Sequence, residues 1–234
     1  PWLIDRLEAT DYYRMKAEGV ESLEPQDEVV LRRGDTLWVP DENQIVALRD
    51  TFEATVLDLN IPEFRLRIVE FGIPRHSFLV RVGQDRTRYL DMAGREVDLR
   101  TQTGTGSIVR INKNPTYVNP VDNHEYEVTR RDDGVVTGLP RIPFLEPEVD
   151  GVRFGQLIHP TTNPETLGGA YSNGCVGTTE AAAWRIYYSA PLGTAVRFRY
   201  DRVVLAPTGD TIVLPDIYGL DQTNVRPSRS DSPG

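Results

Sequence analysis

A single cysteine in 234 residues constrains this chain more than any other feature. One thiol can close no intrachain disulfide and can build no cysteine cluster around a metal, so the fold has to be held by an apolar core. That thiol, Cys175, ends the stretch IHPTTNPETLGGAYSNGC, and His159, one of three histidines, stands sixteen positions before it. Gly174 and Gly177 flank the thiol closely, and residues without side chains let backbone N–H groups turn toward an oxyanion. A thiol attacks carbonyls as thiolate, and a free pKa of about 8.5 leaves only a few per cent ionised near neutrality. It therefore needs a base, for which His159 is the candidate, and a favourable field. A helix expected to start at about Thr178 would supply that field from its N-terminal amides. From the residues alone, a buried structural cysteine beside an unrelated histidine competes with this nucleophile and base.

The core is written as alternating strands. TVLDLNIPEFRLRIVEFG (55–72) alternates through Phe64, Leu66, Ile68 and Phe71, with Pro62 marking a turn between two strands. HSFLVRVGQ (76–84) continues through Phe78, Val80 and Val82 toward YLDMAGREVDL. TQTGTGSIVRINKNPTYVNP (101–120) reads as a glycine-rich loop followed by a strand carrying Ile108, Val109 and Ile111. No helix-forming run and no Lys-Ser/Thr pair follows Gly104 and Gly106, so they read as a β turn and not as a phosphate cradle. Residues 119–152 are irregular and rich in Pro, Asp and Gly, as expected of a flap. After the cysteine, TTEAAAWRIYYSA is the clearest helix, stopped by Pro191-Leu192-Gly193, and TAVRFRYDRVVLA is a final strand.

These elements predict a mainly β, twisted sandwich-like domain over 52–201 with one clear helix after the cysteine. Residues 1–51 are expected to form a small helical and hairpin region, in which GDTLWVP weakly resembles the end of a LysM carbohydrate-binding repeat. Residues 202–234 read as an extension, disordered from about Thr223, where no apolar face remains. Charge narrows the function classes. With 26 Lys and Arg against 35 Asp and Glu, the formal charge is −9, and the arginines are scattered among carboxylates as in RRDDG. No basic stripe for nucleic acid survives that field. Apolar runs are interrupted well before the roughly 18 residues that a membrane span needs.

The pattern of His159, a fifteen-residue gap, Ser172-Asn173-Gly174-Cys175-Val176, then helix and GTAVRF, resembles the YkuD-type L,D-transpeptidase catalytic domain. That family's motif is His, a similar gap, then Ser-His-Gly-Cys and an aliphatic residue. TVLDLNIPEFRLRIVEFG looks like its opening strand pair, TGTGSIVRI like its glycine-rich turn and strand, and PLGTAVRF like its closing strand. The resemblance implies an exported enzyme of the periplasm or cell envelope that needs no cofactor or metal. Cys175 would attack a peptidoglycan stem tetrapeptide, expel D-alanine, and pass the acyl group to the amine of a second stem or of a wall-anchored protein. His159 would move the protons, oriented by the carbonyl of Pro160, with Ser172, Asn173 and Gly174 shaping the oxyanion site. Asn173 stands where the family has a second histidine, and Gly177 where it often has Arg or Asn. Tyr171, Arg110, Lys113 and Arg153 are candidate substrate contacts. Trp184 reads as core, and His124 and His76 are rival bases. A hydrolase of the same fold, acting as carboxypeptidase or amidase, and a peptidoglycan-binding module without catalysis are the alternatives.

Overall fold

The computed structural model describes Gly34 and residues 40–140, 142–206 and 208–220. The helices and hairpin expected near the N-terminus, nearly all of GDTLWVP, and the tail from Thr223 lie outside the described residues. The first element among the described residues is a helix that the alternation patterns passed over, α1, Glu42–Glu53. Its N-terminus is a capping box: the Gln44 N–H donates to the Asp41 carboxylate at 2.8 Å, and the Asp41 N–H donates to the Gln44 side chain at 3.0 Å. No residue of α1 is buried.

The strands follow as β1 (Thr55–Asn60), β2 (Arg65–Glu70), β3 (Ile73–Leu79), β4 (Val82–Gly83), β5 (Thr87–Leu90), β6 (Arg95–Asp98) and β7 (Gly104–Asn112). Then come β8 (Val128–Arg130), β9 (Val136–Gly138), β10 (Phe144–Val149), β11 (Ile158–Pro160), β12 (Ala170–Ser172) and β13 (Val176–Thr178). A second helix, α2 (Glu180–Ser189), precedes β14 (Ala195–Arg199), β15 (Val203–Leu205) and β16 (Thr211–Val213). Eight strands form one mixed sheet in the order β13-β11-β10-β7-β14-β1-β2-β3. The β1–β14 and β11–β13 pairs are parallel. The sheet curls on itself, because Arg81, two residues beyond edge strand β3, bridges to Gly177 in the opposite edge strand β13. Closure of this kind protects edges that would otherwise be open to further pairing. The expected mainly β, twisted architecture is what forms.

The core lies inside the curl. Leu57 and Leu59 of β1 pair with Ile68 and Leu66 on one side and with Val196 and Phe198 on the other, and all six are buried. Val56, Asp58 and Asn60 face the other way, where Asp58 and Asn60 are also buried. Asp58 accepts hydrogen bonds from Arg197 at 3.1 Å and Arg199 at 2.9 Å. Burial is the largest single influence on Asp58 and opposes its charge, but Arg199 and Arg197 together outweigh it and hold the carboxyl below its ordinary range. Helix α2 adds Ala183, Trp184, Ile186 and Tyr187 to the core, so Trp184 is a packing residue.

Three boundaries differ from the sequence expectation. Gly104 and Gly106 do not form a turn: they open β7, where a Cβ on Gly106 would stand 1.8 Å from the Glu148 carbonyl oxygen. These glycines let β10 approach. The stretch 119–152 is not one flap, since Phe144–Val149 is β10 in the middle of the sheet. Pro147 disguised it, and it is tolerated because the register shifts between Glu146 and Pro147, where a ladder hydrogen bond is dispensable. Residues 202–220 are not an appendage either: β15 and β16 form a hairpin, and Tyr218 returns to the core, donating to the Gly83 carbonyl at 2.8 Å. Among the described residues no helix is long and apolar enough to cross a membrane.

The close approach of β10 to β7 yields a stability prediction. Gly106→Ala is expected to cost about 1–3 kcal/mol, the usual range when added atoms force a backbone shift, read as a lower midpoint in urea denaturation; an unchanged midpoint would contradict the strand contact.

Candidate active site

The register of two short parallel strands assembles the site. Ile158 pairs with Val176 and both are buried in the core, so their neighbours His159 and Gly177, paired across the same ladder, face the opposite side. Cys175 immediately precedes β13 and shares the face of Gly177, two residues on. His159 and Cys175, sixteen residues apart, thus line the same cavity of about 480 Å³. Its other walls include Asn112, Tyr117, Phe144, Phe154, Gln156 and Asn173, with Leu90, Met92 and Val97 from the β5–β6 hairpin. That hairpin is clasped to the segment opposite by a hydrogen bond from the Met92 N–H to the Pro120 carbonyl at 3.2 Å. Of the stretch expected as a flap, Asn119, Pro120, Tyr126 and Phe144 reach the cavity.

The turn that carries the thiol is fixed by short polar contacts. The Ser172 hydroxyl donates to the Cys175 carbonyl at 2.6 Å and accepts from the Gly174 N–H at 3.2 Å. Thr101 donates to the Gly174 carbonyl at 2.9 Å. Gly174 sits at φ +110, a conformation that favours glycine, and a Cβ there would meet the Gln156 side chain at 2.8 Å. The Gly174 N–H is therefore occupied within the turn and is not an oxyanion donor in this arrangement. The Cys175 N–H makes none of the backbone hydrogen bonds among the described residues, which leaves it available as a donor near the sulfur.

His159 is held by its neighbour. Its Nδ1 lies 2.8 Å from the Pro160 carbonyl oxygen, and because a carbonyl only accepts, Nδ1 must carry the proton. Nε2 is left with the lone pair that a base requires. The Phe144 ring packs on the imidazole with centroids 4.6 Å apart. Burial, then the positive charge of Arg81, push the imidazole from its ordinary 6.5 down to about 4, against a smaller opposing effect of the Pro160 hydrogen bond. Burial likewise pushes the Cys175 thiol up, while the Leu157 N–H, 3.3 Å from Sγ, and Arg81 favour the thiolate. At neutral pH the resting pair is thiol and neutral imidazole.

The expected field from the helix goes elsewhere. Strand β13 separates Cys175 from α2, whose N-cap is Thr179. The first amides of α2, those of Glu180 and Ala181, donate to the Asp132 carboxylate at 3.0 and 3.2 Å. The helix end is satisfied by a side chain from the segment before β9. Two arginines line the cavity, Arg95 of β6 and Arg81; the charge that acts on both Cys175 and His159 is that of Arg81, which sequence reading missed because it sits inside the alternating run HSFLVRVGQ and resembles any surface arginine of a strand. The fit of its side chain over Gly177 shows only in three dimensions: a Cβ on Gly177 would stand 2.6 Å from Arg81 Cγ and Nε.

The other candidates fall outside the cavity wall. Arg110 and Arg153 both bind the buried carboxylate of Glu146, at 2.5 and 2.7 Å. Lys113 lies 6.0 Å from the Tyr187 ring centroid. Tyr171 is 63% exposed and covers Gly169. His124 packs edge-on against Tyr126, and His76 stacks with Phe78 on β3.

Comparison with known proteins supplies a context for this geometry. The profile of the YkuD family, described as the L,D-transpeptidase catalytic domain, matches residues 54–203. No curated protein matches the chain. Among solved structures, an L,D-transpeptidase from Xylanimonas cellulosilytica is 17% identical with a TM-score of 0.44, over 63% of this chain and 61% of that one. An L,D-transpeptidase from Mycobacterium smegmatis is 10% identical with a TM-score of 0.44, over 62% and 58%. The catalytic domain of an E. faecium L,D-transpeptidase is 16% identical with a TM-score of 0.40, over 63% and 98%. The chain thus spans about three fifths of the first two structures.

Two measurements follow from the electrostatics. Between pH 6.5 and about 4 the unfolded chain protonates His159 while the folded chain refuses the proton, so that contribution to stability is full above 6.5 and lost as pH falls through this window. The urea midpoint of the wild type is therefore expected to fall more steeply from pH 7 to 4 than that of His159→Gln. Asp132→Ala is expected to cost about 1 kcal/mol as a lost helix cap while leaving the pH dependence of Cys175 alkylation unchanged; a shifted profile would mean that the helix field does reach the thiol.

Proposed function

The chain belongs to the YkuD family of L,D-transpeptidase catalytic domains, and from that premise we propose that it is a cysteine-dependent acyltransferase acting on peptidoglycan stem peptides. The observation that carries the proposal is the placement of Cys175 and a tautomerically fixed His159 on one wall of one cavity. Cys175 Sγ attacks the carbonyl that precedes the terminal D-alanine of a stem tetrapeptide, and its proton passes to His159 Nε2. Because the thiol is pushed up and the imidazole down, proton transfer ahead of attack is uphill. The transfer accompanies formation of the S–C bond, as expected of general base catalysis.

The tetrahedral oxyanion receives the Cys175 N–H, with the side chain of Asn173 lining the same cavity. Asn173 offers hydrogen bonds but no titrating proton, so both proton transfers fall to His159. Collapse of the intermediate breaks the C–N bond, the proton on Nε2 goes to the leaving amine, and D-alanine departs from a thioester. An acceptor amine then attacks the thioester, losing its proton to Nε2, and the C–S bond breaks. The released sulfur recovers the proton. A second stem peptide as acceptor gives a crosslink, and an amine on a wall-anchored protein gives attachment. Water in the acceptor's place makes the same site a carboxypeptidase. On this reading the protein is exported and works in the periplasm or cell envelope.

Incubation with tetrapeptide muropeptides followed by mass analysis tests the reaction: dimers with loss of D-alanine are expected, tripeptides alone would indicate hydrolysis, and no product would favour a binding module. Cys175→Ser is expected to abolish turnover, since the same base ionises a hydroxyl far less readily. His159→Ala is expected to slow acylation by roughly 10²–10⁴ and His124→Ala to leave it unchanged. A carbapenem is expected to add its mass to the wild type and not to Cys175→Ser.

A further inference from the structure

Arg81 is a cation without an anion. Among the described residues it forms no salt bridge, and its one side-chain hydrogen bond runs from Nη1 to the Thr166 hydroxyl at 3.3 Å. Its Nε is buried over Gly177 with no partner. The backbone locks it there, with the Arg81 N–H donating to the Gly177 carbonyl at 2.9 Å and the Gly177 N–H to the Arg81 carbonyl at 3.0 Å. Its side chain lines the cavity that holds Cys175 and His159. An arginine drawn out of water and left unpaired is unfavourable unless something returns the missing interactions. A guanidinium is suited to a planar carboxylate, which it grips with two parallel N–H groups.

We propose that Arg81 is the carboxylate-recognition residue of this cavity and binds the free α-carboxylate of the donor's terminal residue, one residue beyond the carbonyl that Cys175 attacks. The identity of that donor rests on the proposed function; the recognition of a carboxylate beside the sulfur does not. The placement fits the chemistry. The carboxylate of a departing amino acid lies one Cα beyond the scissile amide nitrogen, and Arg81 stands on the residue two positions from the nucleophile. Pairing with that carboxylate also screens the positive charge that opposes protonation of His159. It equally screens the charge that favours the thiolate, so the carboxylate serves to hold the donor in place and changes the proton transfer within the dyad little.

Two alkylating probes test this without any peptide. Iodoacetate carries a carboxylate next to its reactive carbon and iodoacetamide does not, and Cys175 is the sole thiol, so mass analysis reads one site. The ratio of the iodoacetate rate to the iodoacetamide rate at Cys175 is expected to exceed that of a small free thiol by about tenfold or more, in keeping with the strength of charged hydrogen bonds. In Arg81→Met the ratio is expected to collapse to the free-thiol value, with Arg81→Lys keeping part of it. Unfolding would also carry the ratio to the free-thiol value, but by raising the iodoacetamide rate at the now exposed thiol, so the collapse supports the proposal when it comes from slower iodoacetate with no rise in the iodoacetamide rate. An unchanged ratio in Arg81→Met, or an equal fall of both rates, overturns the proposal and makes Arg81 a partner of the thiol only. For tetrapeptides, the wild type is expected to acylate a C-terminal acid about 10–100-fold faster than the C-terminal amide, and Arg81→Met to lose that preference. A wild type that shows the alkylation ratio but processes no tetrapeptide would sink the proposed function while supporting carboxylate recognition.

Discussion

The pairing of β11 with β13 is the interaction on which the rest of the site depends. A ladder of three residue pairs fixes Ile158 against Val176 in the core and thereby turns His159 and Cys175 to the opposite side. Side chains alternate along a strand, so a slip of one residue would turn the imidazole into the apolar core and the isoleucine into the cavity. The apolar pair costs too much to expose, and this is what makes so short a ladder definite. The stretch between the two strands can then be irregular, because its ends are set by the sheet. Ser172, Thr101 and Gln156 complete the work by holding the turn from the side of the main chain.

Electrostatics at the site follow from that geometry. Enclosing the dyad raises the thiol and lowers the imidazole, which disfavours the ion pair that many cysteine nucleophiles use at rest. The end of α2, which would favour a thiolate if it pointed there, is taken by Asp132 and separated from the sulfur by β13. What remains is one hydrogen bond from Leu157 and the charge of Arg81. Arg81 acts on the two members of the dyad in opposite senses, toward thiolate and away from imidazolium. Its effect on proton transfer between them is therefore small.

The parts of this protein that could be read from its sequence are those governed by local rules. Alternation located β1, β2 and β14, and an alanine-rich run with a threonine cap located α2. The cysteine and histidine were legible because few residue types carry such chemistry, and the Pro160 carbonyl because it is adjacent in sequence. The capping box of α1 was available in Asp41 and Gln44 but lay in a stretch searched for strands. Elsewhere the controlling facts are contacts between distant residues. Pro147 looks like a strand breaker until the register shift is seen, and Gly106 looks like a turn until β10 is laid against β7. Arg110 and Arg153 looked like free cations, yet both serve one buried glutamate. Arg81 had the opposite fate, an ordinary strand arginine in the sequence that the curl of the sheet carries into the cavity.

That curl explains why the position after Val176 has no side chain. Closing the sheet requires the main chains of Arg81 and Gly177 to exchange two hydrogen bonds, and a Cβ at 177 would collide with Arg81 at Cγ and Nε, forcing the arginine out of the rotamer that lays it over Gly177. Glycine at 177 and a long side chain at 81 are thus one structural solution. The loss of a side chain from the strand of the nucleophile is compensated by one delivered from across the closure. Sheet closure and active-site charge are consequently set by the same two residues, so a change at either is felt in both. Asp58 and Glu146 neutralise arginines that do not line the cavity, whereas the charge of Arg81 bears on both members of the dyad.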